Sequence, residues 1–159
     1  MNEATRKEMT FECEMNQYMK AYYVMCGYEY DFRGDKQKDV ILYSDNEKIL
    51  VEHKFRKVEY NDILVEIVQD LKTNASGWLY ECEADDLHYV ICKEAEGNMR
   101  PIYFYDIKFK LFRNWLFEWL MQNKGHYRTS NKGWGITLNL AVPIKTIPND
   151  LIKKLDVQV

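Results

Sequence analysis

The chain has 159 residues, of which 47% are hydrophobic and 14% aromatic, and this composition supports one sizeable core. Its net charge of −3 argues against a protein that coats nucleic acid by bulk attraction, and no apolar run reaches the ~20 residues of a membrane span. The charged N-terminus lacks the apolar core of a signal peptide, so we expect one cytoplasmic domain over residues 1–159.

The first predicted element is a helix from about Glu8 to Cys26. Gly27 favours its end, and the polar segment 31–38 is predicted to be a loop. Apolar side chains recur in this helix at helical spacing: Phe11, Met15, Tyr18, Met19, Tyr22 and Met25. We expect this stripe to pack on the core.

Two short strands, 39–43 and 49–54, are predicted next, joined by a turn at 44–47. A turn centred on positions 45 and 46 would place Asp39 opposite Glu52 in an antiparallel pair. Two facing carboxylates repel each other unless a cation or a proton lies between them. This register therefore favours a metal site.

Lys54 lies two positions after Glu52, so the alternation of a strand puts both side chains on one face, with Val51 and His53 on the other. Uncompensated charge at the end of a buried strand costs several kcal/mol. A divalent cation would compensate the carboxylates, and the lysine could stabilise charge on a phosphate. The alternative is that these are exposed charges on an edge strand.

The rest of the chain predicts further strands, a second helix and a final strand. The ranges are strands at 63–68, 78–80, 87–92 and 102–105, a helix from about 107 to 123 after an Asp106 N-cap, a polar loop at 124–133, and a strand at 136–142. Glu66 falls inside an apolar strand and needs a partner, for which Lys54 or a metal are candidates.

Other potential metal ligands are less promising. The histidines, His53, His88 and His126, lack the spacing of a metal pair, and the four cysteines show no Cys-x-x-Cys motif. Asp85 and Asp86 are interpreted as a turn or a cap. We therefore expect no histidine-rich or cysteine-rich metal site.

Charge is distributed unevenly along the chain. Residues 59–96 include ten acidic and two basic residues, whereas residues 107–133 include six basic and one acidic. A local basic segment is typical of a surface that contacts phosphates, although a solvated face gives the same pattern. The candidate nucleic-acid contacts are Arg56, Lys57, Lys124, Arg128 and Lys132.

Together, the opening helix, Asp39 and the Glu52-x-Lys54 pair on adjacent strands resemble the PD-(D/E)XK, or restriction-endonuclease-like, nuclease superfamily. The thirteen positions from Asp39 to Glu52 are similar to the spacing of archaeal Holliday-junction resolvases. The resemblance implies an α/β fold with a restriction-endonuclease-like core: a central mixed β-sheet flanked by helices in the order α-β-β-β-α-β. Lys38, not proline, precedes Asp39.

The resemblance also implies roles for individual residues. Asp39 and Glu52 would bind Mg²⁺ or Mn²⁺ with help from the His53 carbonyl group, and Lys54 would assist the attacking water and stabilise the phosphate. The family usually adds an acid from the first helix. Glu12 and Glu14 both lie beside its apolar stripe, and Glu14 is slightly favoured.

The implied activity is metal-dependent hydrolysis of nucleic acid, with DNA favoured, to leave a 5′-phosphate. Domains of this type often form homodimers, which the sequence leaves open. One alternative is a catalytically inactive nuclease fold that binds nucleic acid or acts as a phage-type anti-defence protein. Another is an interaction protein whose aromatic surface binds a protein partner.

Overall fold

The computed structural model describes residues 3–34 and 38–158. The helices in these ranges are α1 (Glu3–Met25), α2 (Trp78–Glu81) and α3 (Phe109–Gln122), and a 3₁₀ turn spans Ile144–Thr146. The strands are β1 (Glu29–Phe32), β2 (Val40–Tyr43), β3 (Lys48–Arg56), β4 (Asp62–Asp70), β5 (Ala75–Ser76), β6 (Asp86–Ala95), β7 (Asn98–Lys108), β8 (His126–Asn131), β9 (Ile136–Pro143) and β10 (Ile152–Asp156). Across the described ranges, no helix combines the length and apolar character needed to cross a membrane.

The central sheet has six strands in the order β1-β2-β3-β6-β7-β10. Adjacent strands in this sheet run antiparallel, except for β3 and β6, which run parallel. A parallel pair needs a crossover, and the chain makes it through β4, β5 and α2. The predicted α/β class with a mixed central sheet is confirmed.

A second sheet, in the order β5-β4-β9-β8, differs from the predicted α-β-β-β-α-β order. The third predicted strand, β4, leaves the central sheet and pairs with β9, with Ile63 opposite Val142 and Val65 opposite Leu140. These four side chains belong to one buried cluster. The burial of these apolar side chains, from β4 and from β9, explains why β4 joins the second sheet.

The central sheet is covered on both faces. On one face, Met15, Met19 and Tyr23 of α1 pack against a cluster that includes Val51 and Phe104. On the other face, the sheet packs against the second sheet and α3. The predicted stripe of α1 was wrong at its end, because Met25 is 69% exposed and Tyr23 is buried instead.

Three local predictions were wrong. Residues 78–80, predicted as a strand, lie in the short helix α2. The Gly77 amide donates to the Ile67 carbonyl oxygen, and the backbone then makes one helical turn in which the Cys82 amide donates to the Trp78 carbonyl oxygen. Asp106 does not cap a helix but lies within β7. The polar loop 124–133 contains strand β8, whose backbone pairs with β9 although its side chains are mostly exposed.

Candidate functional site

The β2–β3 hairpin has the register that the sequence predicts for its paired residues, with Val40 opposite Val51. The ladder begins at Val40, so Asp39 lies just before it and forms no pair with Glu52 in the ladder. The Asp39 amide donates to the Val51 carbonyl oxygen at 2.9 Å, and its Oδ2 accepts the His53 amide at 2.8 Å. These two contacts hold Asp39 beside the start of the hairpin.

Lys54 and Glu52 lie on the same face of β3 and contact each other. Lys54 Nζ is 2.5 Å from Glu52 Oε1, and the side chains are 24% and 7% exposed. Burial lowers the pKa of Lys54, but the carboxylates of Glu52 and Asp39 outweigh it and hold that pKa above its ordinary value. Lys54 is therefore a cation that can stabilise an anion, and not a general base, as the site stands.

The carboxylate that α1 contributes to this cluster is Glu12. It lines the same pocket as Asp39 and Lys54. Burial raises its pKa, Lys54 opposes that shift, and Glu8 and Asp39 raise the pKa further. Glu14 is exposed and lines a shallow groove with Glu3, Arg6 and Lys7. The structure thus favours Glu12, the other sequence candidate, over Glu14.

Glu66 approaches the same lysine from β4. Burial raises its pKa, whereas Lys54 and a hydrogen bond from the Trp78 backbone lower it. Lys54 Nζ also lies 5.3 Å from the centroid of the Trp78 ring, within cation–π distance. The sequence left Lys54 or a metal as candidate partners of Glu66, and the structure places Glu66 beside Lys54.

A pocket of about 580 Å³ opens where α1 meets the ends of the first three strands. Its lining includes Asp39, His53 and Lys54, together with Glu12 and Asn16 of α1. Glu52, at 5% exposure, contacts Lys54 but does not line this pocket.

The His53 imidazole lies on the opposite face of β3, in contact with α1. Its Nδ1 is 2.7 Å from Asn16 Oδ1, and its Nε2 is 2.7 Å from the Tyr23 hydroxyl oxygen. Burial, followed by the neighbouring His88 and Lys54, lowers the pKa of His53 well below its ordinary value, so the ring is neutral. Only the carbonyl group of His53 therefore remains a candidate ligand for the predicted metal.

The structure also assembles a cluster that sequence reasoning missed. His88 is the register partner of both His53 in β3 and Asp106 in β7. Asp86, two positions before His88 and on the same face, completes a group whose ligand atoms all lie within 4.8 Å of one another. The local spacing Asp-x-His was the one signal in the sequence, because the pairing with β7 is not visible in a linear pattern.

The predicted nucleic-acid contacts are dispersed. Arg56 donates to the Tyr89 hydroxyl group at 2.9 Å, Lys57 Nζ lies 4.1 Å from the Phe11 ring centroid, and Arg128 pairs with Asp62 at 3.2 Å. Lys124 is exposed just past the end of α3.

Lys132 acts on two acids of the carboxylate cluster, Glu12 and Glu66. Its Nζ is 3.5 Å from Glu8 Oε1, and its charge lowers the pKa values of Glu12 and Glu66. Of the five predicted contacts, Lys132 is therefore the one with a clear electrostatic link to the candidate site through both of these acids.

Comparison with known proteins provides no relative: no family model, curated protein or solved structure matches the chain.

Proposed function

We propose that the chain is a metal-dependent nuclease that hydrolyses phosphodiester bonds, with DNA as the favoured substrate. The observation that carries the proposal is the convergence of acidic side chains on one buried cation. Glu12, Asp39 and Glu52 act electrostatically on Lys54, and Lys54 acts on Glu66. These residues come from α1, the β2–β3 hairpin and β4.

The cluster fits Mg²⁺ or Mn²⁺ by its donors and by its charge. All the candidate ligands are carboxylate or carbonyl oxygens, which hard divalent cations prefer. One lysine does not neutralise so many acids, and the raised pKa of Glu12 reflects burial first and then the negative charge of Glu8 and Asp39. Burial alone raises the pKa of Glu66. Asp39, Glu52 and the His53 carbonyl group would hold the ion, with Glu12 close by.

When bound, such an ion would supply Lewis-acid activation of the phosphate and of the attacking water. The remaining work belongs to side chains of this chain. Lys54, held as an ammonium by Glu52 and Asp39, would stabilise the additional negative charge on the phosphate as attack proceeds. Trp78 limits the movement of the lysine by covering it at 5.3 Å. The resemblance to the PD-(D/E)XK nucleases implies that the product would carry a 5′-phosphate.

The test is cleavage of plasmid, single-stranded and branched DNA, and of RNA, with Mg²⁺ or Mn²⁺. We expect metal-dependent cleavage that falls by about 100-fold or more in Lys54→Met, the usual cost of losing one electrostatic group in an active site. Lys48→Ala is the matched control, because Lys48 lies at the other, exposed end of β3. We expect its activity to equal that of the unchanged protein.

Two results would contradict the proposal. Cleavage that survives in both Lys54→Met and Glu52→Gln would mean that another site, or a contaminant, is responsible. Binding of nucleic acid without cleavage, in either metal and on every substrate, would instead support the inactive nuclease-fold alternative.

A further inference from the structure

The opposite face of β3 carries a buried chain of hydrogen bonds that the proposed nuclease chemistry does not use. Asn16 Oδ1 contacts His53 Nδ1 at 2.7 Å, His53 Nε2 contacts the Tyr23 hydroxyl oxygen at 2.7 Å, and that oxygen contacts His88 Nδ1 at 2.5 Å. Tyr23, His53 and His88 are each less than a tenth exposed. This series of hydrogen bonds therefore connects α1, β3 and β6 through buried side chains.

The orientation of the Asn16 amide gives these hydrogen bonds a direction. An amide oxygen only accepts, so His53 Nδ1 donates to it, and the Nε2 of the neutral His53 ring accepts from the Tyr23 hydroxyl group. The hydroxyl oxygen can then accept from His88 Nδ1–H. His88 Nε2 is the ring nitrogen at the far end of this series, on the side of Asp106.

His88 Nε2 faces carboxylates. It lies 3.5 Å from Asp106 Oδ1, which is beyond an ordinary hydrogen bond. Within residues 3–34 and 38–158, Asp106 Oδ1 is buried and has no hydrogen-bond partner. The His88 side chain is 8% exposed, so this nitrogen and a carboxylate oxygen face each other away from water. A proton or a metal ion between the two atoms would make the contact favourable.

We propose that Asp86, His88 and Asp106 form a binding site for one divalent transition-metal ion, on the opposite face of the central sheet from Glu52 and Lys54. Their ligand atoms all lie within 4.8 Å of one another, a separation that one ion at bond lengths of about 2.0–2.2 Å from each ligand can bridge. One imidazole nitrogen with two carboxylates suits Mn²⁺ or Zn²⁺ better than Mg²⁺, which prefers oxygen ligands.

Lys108 occupies the position that the ion would take beside Asp86. Its Nζ is 3.0 Å from both carboxylate oxygens of Asp86, and its side chain is 51% exposed. Because the lysine is half in solvent, it can move outward when an ion replaces its charge. A pocket of about 310 Å³ borders all four residues and leaves room for water to complete the coordination.

The test separates this site from the proposed catalytic one by using Glu52→Gln as the background. Metal is removed with a chelator, and binding of Mn²⁺ and of Zn²⁺ is then measured by calorimetry. We expect the background protein to bind about one equivalent. We expect the additional change His88→Gln to weaken that binding by more than tenfold, since even the loss of an outer partner of a ligand costs about 10–100-fold.

A spectroscopic measurement tests whether His88 binds the metal ion even if the His88 variant does not fold. Mn²⁺ bound at the carboxylate cluster would have oxygen ligands, whereas Mn²⁺ bound by His88 would show ¹⁴N coupling from the imidazole in pulsed electron paramagnetic resonance. We expect this coupling in Glu52→Gln and, unchanged, when His126→Gln is added, because His126 is exposed in β8. Both nitrogens of His53 are already bonded to Asn16 and Tyr23.

Failure to bind either metal in the Glu52→Gln background would overturn the inference, as would bound Mn²⁺ without nitrogen coupling. Neither result bears on nucleic-acid cleavage, which is measured separately in the protein with Glu52 intact.

Discussion

His53 of β3 lies directly opposite His88 of β6 in parallel register, and a ring nitrogen of each contacts the Tyr23 hydroxyl group. One phenol from α1 thus bonds to the only parallel strand pair in the described part of the central sheet. Because β3 also carries Glu52 and Lys54 on its other face, this contact helps to hold the strand that supplies the candidate active site.

Tyr23→Phe tests the structural value of that contact. The ring remains, but the hydroxyl group is lost and both histidines lose a hydrogen-bond partner in a buried place. We expect the free energy of unfolding to fall by about 1–3 kcal/mol, the cost of leaving buried polar groups unsatisfied. Urea unfolding measures it, and Tyr60→Phe is the matched control, because Tyr60 is 64% exposed. Equal losses in the two variants would contradict the expectation.

His53 predicts how stability depends on pH. Its pKa in the folded protein lies well below the ordinary value of 6.5, so the unfolded chain binds the proton more readily. The stability that the neutral His53 ring contributes is therefore complete above pH 6.5 and is lost as the pH falls below 6.5. For one proton, the free energy of unfolding then falls by up to about 1.4 kcal/mol per pH unit.

The measurement compares urea unfolding between pH 7.5 and 5.5 for the unchanged protein and for His53→Gln. Glu12 and Glu66 have raised pKa values, so they contribute in the opposite direction in both proteins and cancel in the comparison. We expect the variant to lose less stability on acidification. Parallel curves would show that His53 does not carry this dependence.

Glu12→Gln and Glu14→Gln form a matched pair two positions apart in α1, on different sides of the helix. Glu12 shares a pocket with Asp39 and Lys54, whereas Glu14 does not line it. We expect Glu12→Gln to lower metal-dependent cleavage by about 100-fold, comparable to the cost of misplacing a reacting group by about 1 Å. Glu14→Gln should change it little. The reverse result would restore the sequence-based choice of Glu14.

Replacing Gly77 with alanine should cause a steric clash close to the candidate site. A Cβ atom there would lie 2.3 Å from the Glu66 carbonyl oxygen, and the obstacle is backbone that cannot move aside. We expect Gly77→Ala to cost more stability than Gly97→Ala, where φ is +80° but no atom lies within 4 Å of the new Cβ. The second change should cost about 1–2 kcal/mol from backbone strain alone. Thermal unfolding of both variants measures the difference.

The hairpin was predictable because its signals are local. Alternation in 49–54 and the polar turn at 44–47 determine which side chains share a face, and the observed Val40–Val51 pair confirms the register. The apolar stripe of α3 predicted its helix for the same reason, and Phe112 and Leu116 are fully buried.

The second sheet and the Asp86–His88–Asp106 cluster depend on pairings between distant segments. β8 is a run of mostly exposed polar residues, His126–Asn131, and it is a strand because β9 pairs with its backbone. Tyr23 was missed because the helical spacing allowed Tyr22 and Met25 as core positions, and the actual packing rotates the buried stripe towards Tyr23. No linear pattern brings His88 opposite His53.

Strand β3 supplies Glu52 and Lys54 to one candidate site and, on its other face, His53, which supports the second site through the hydrogen bonds of Tyr23 to His53 and His88. An insertion or deletion of one residue within the strand would exchange the two faces and disrupt both sites at once. The sites are therefore expected to be inherited or lost together. Length variation among descendants of this chain should fall in the turn at 44–47, where it leaves the alternation of β3 intact.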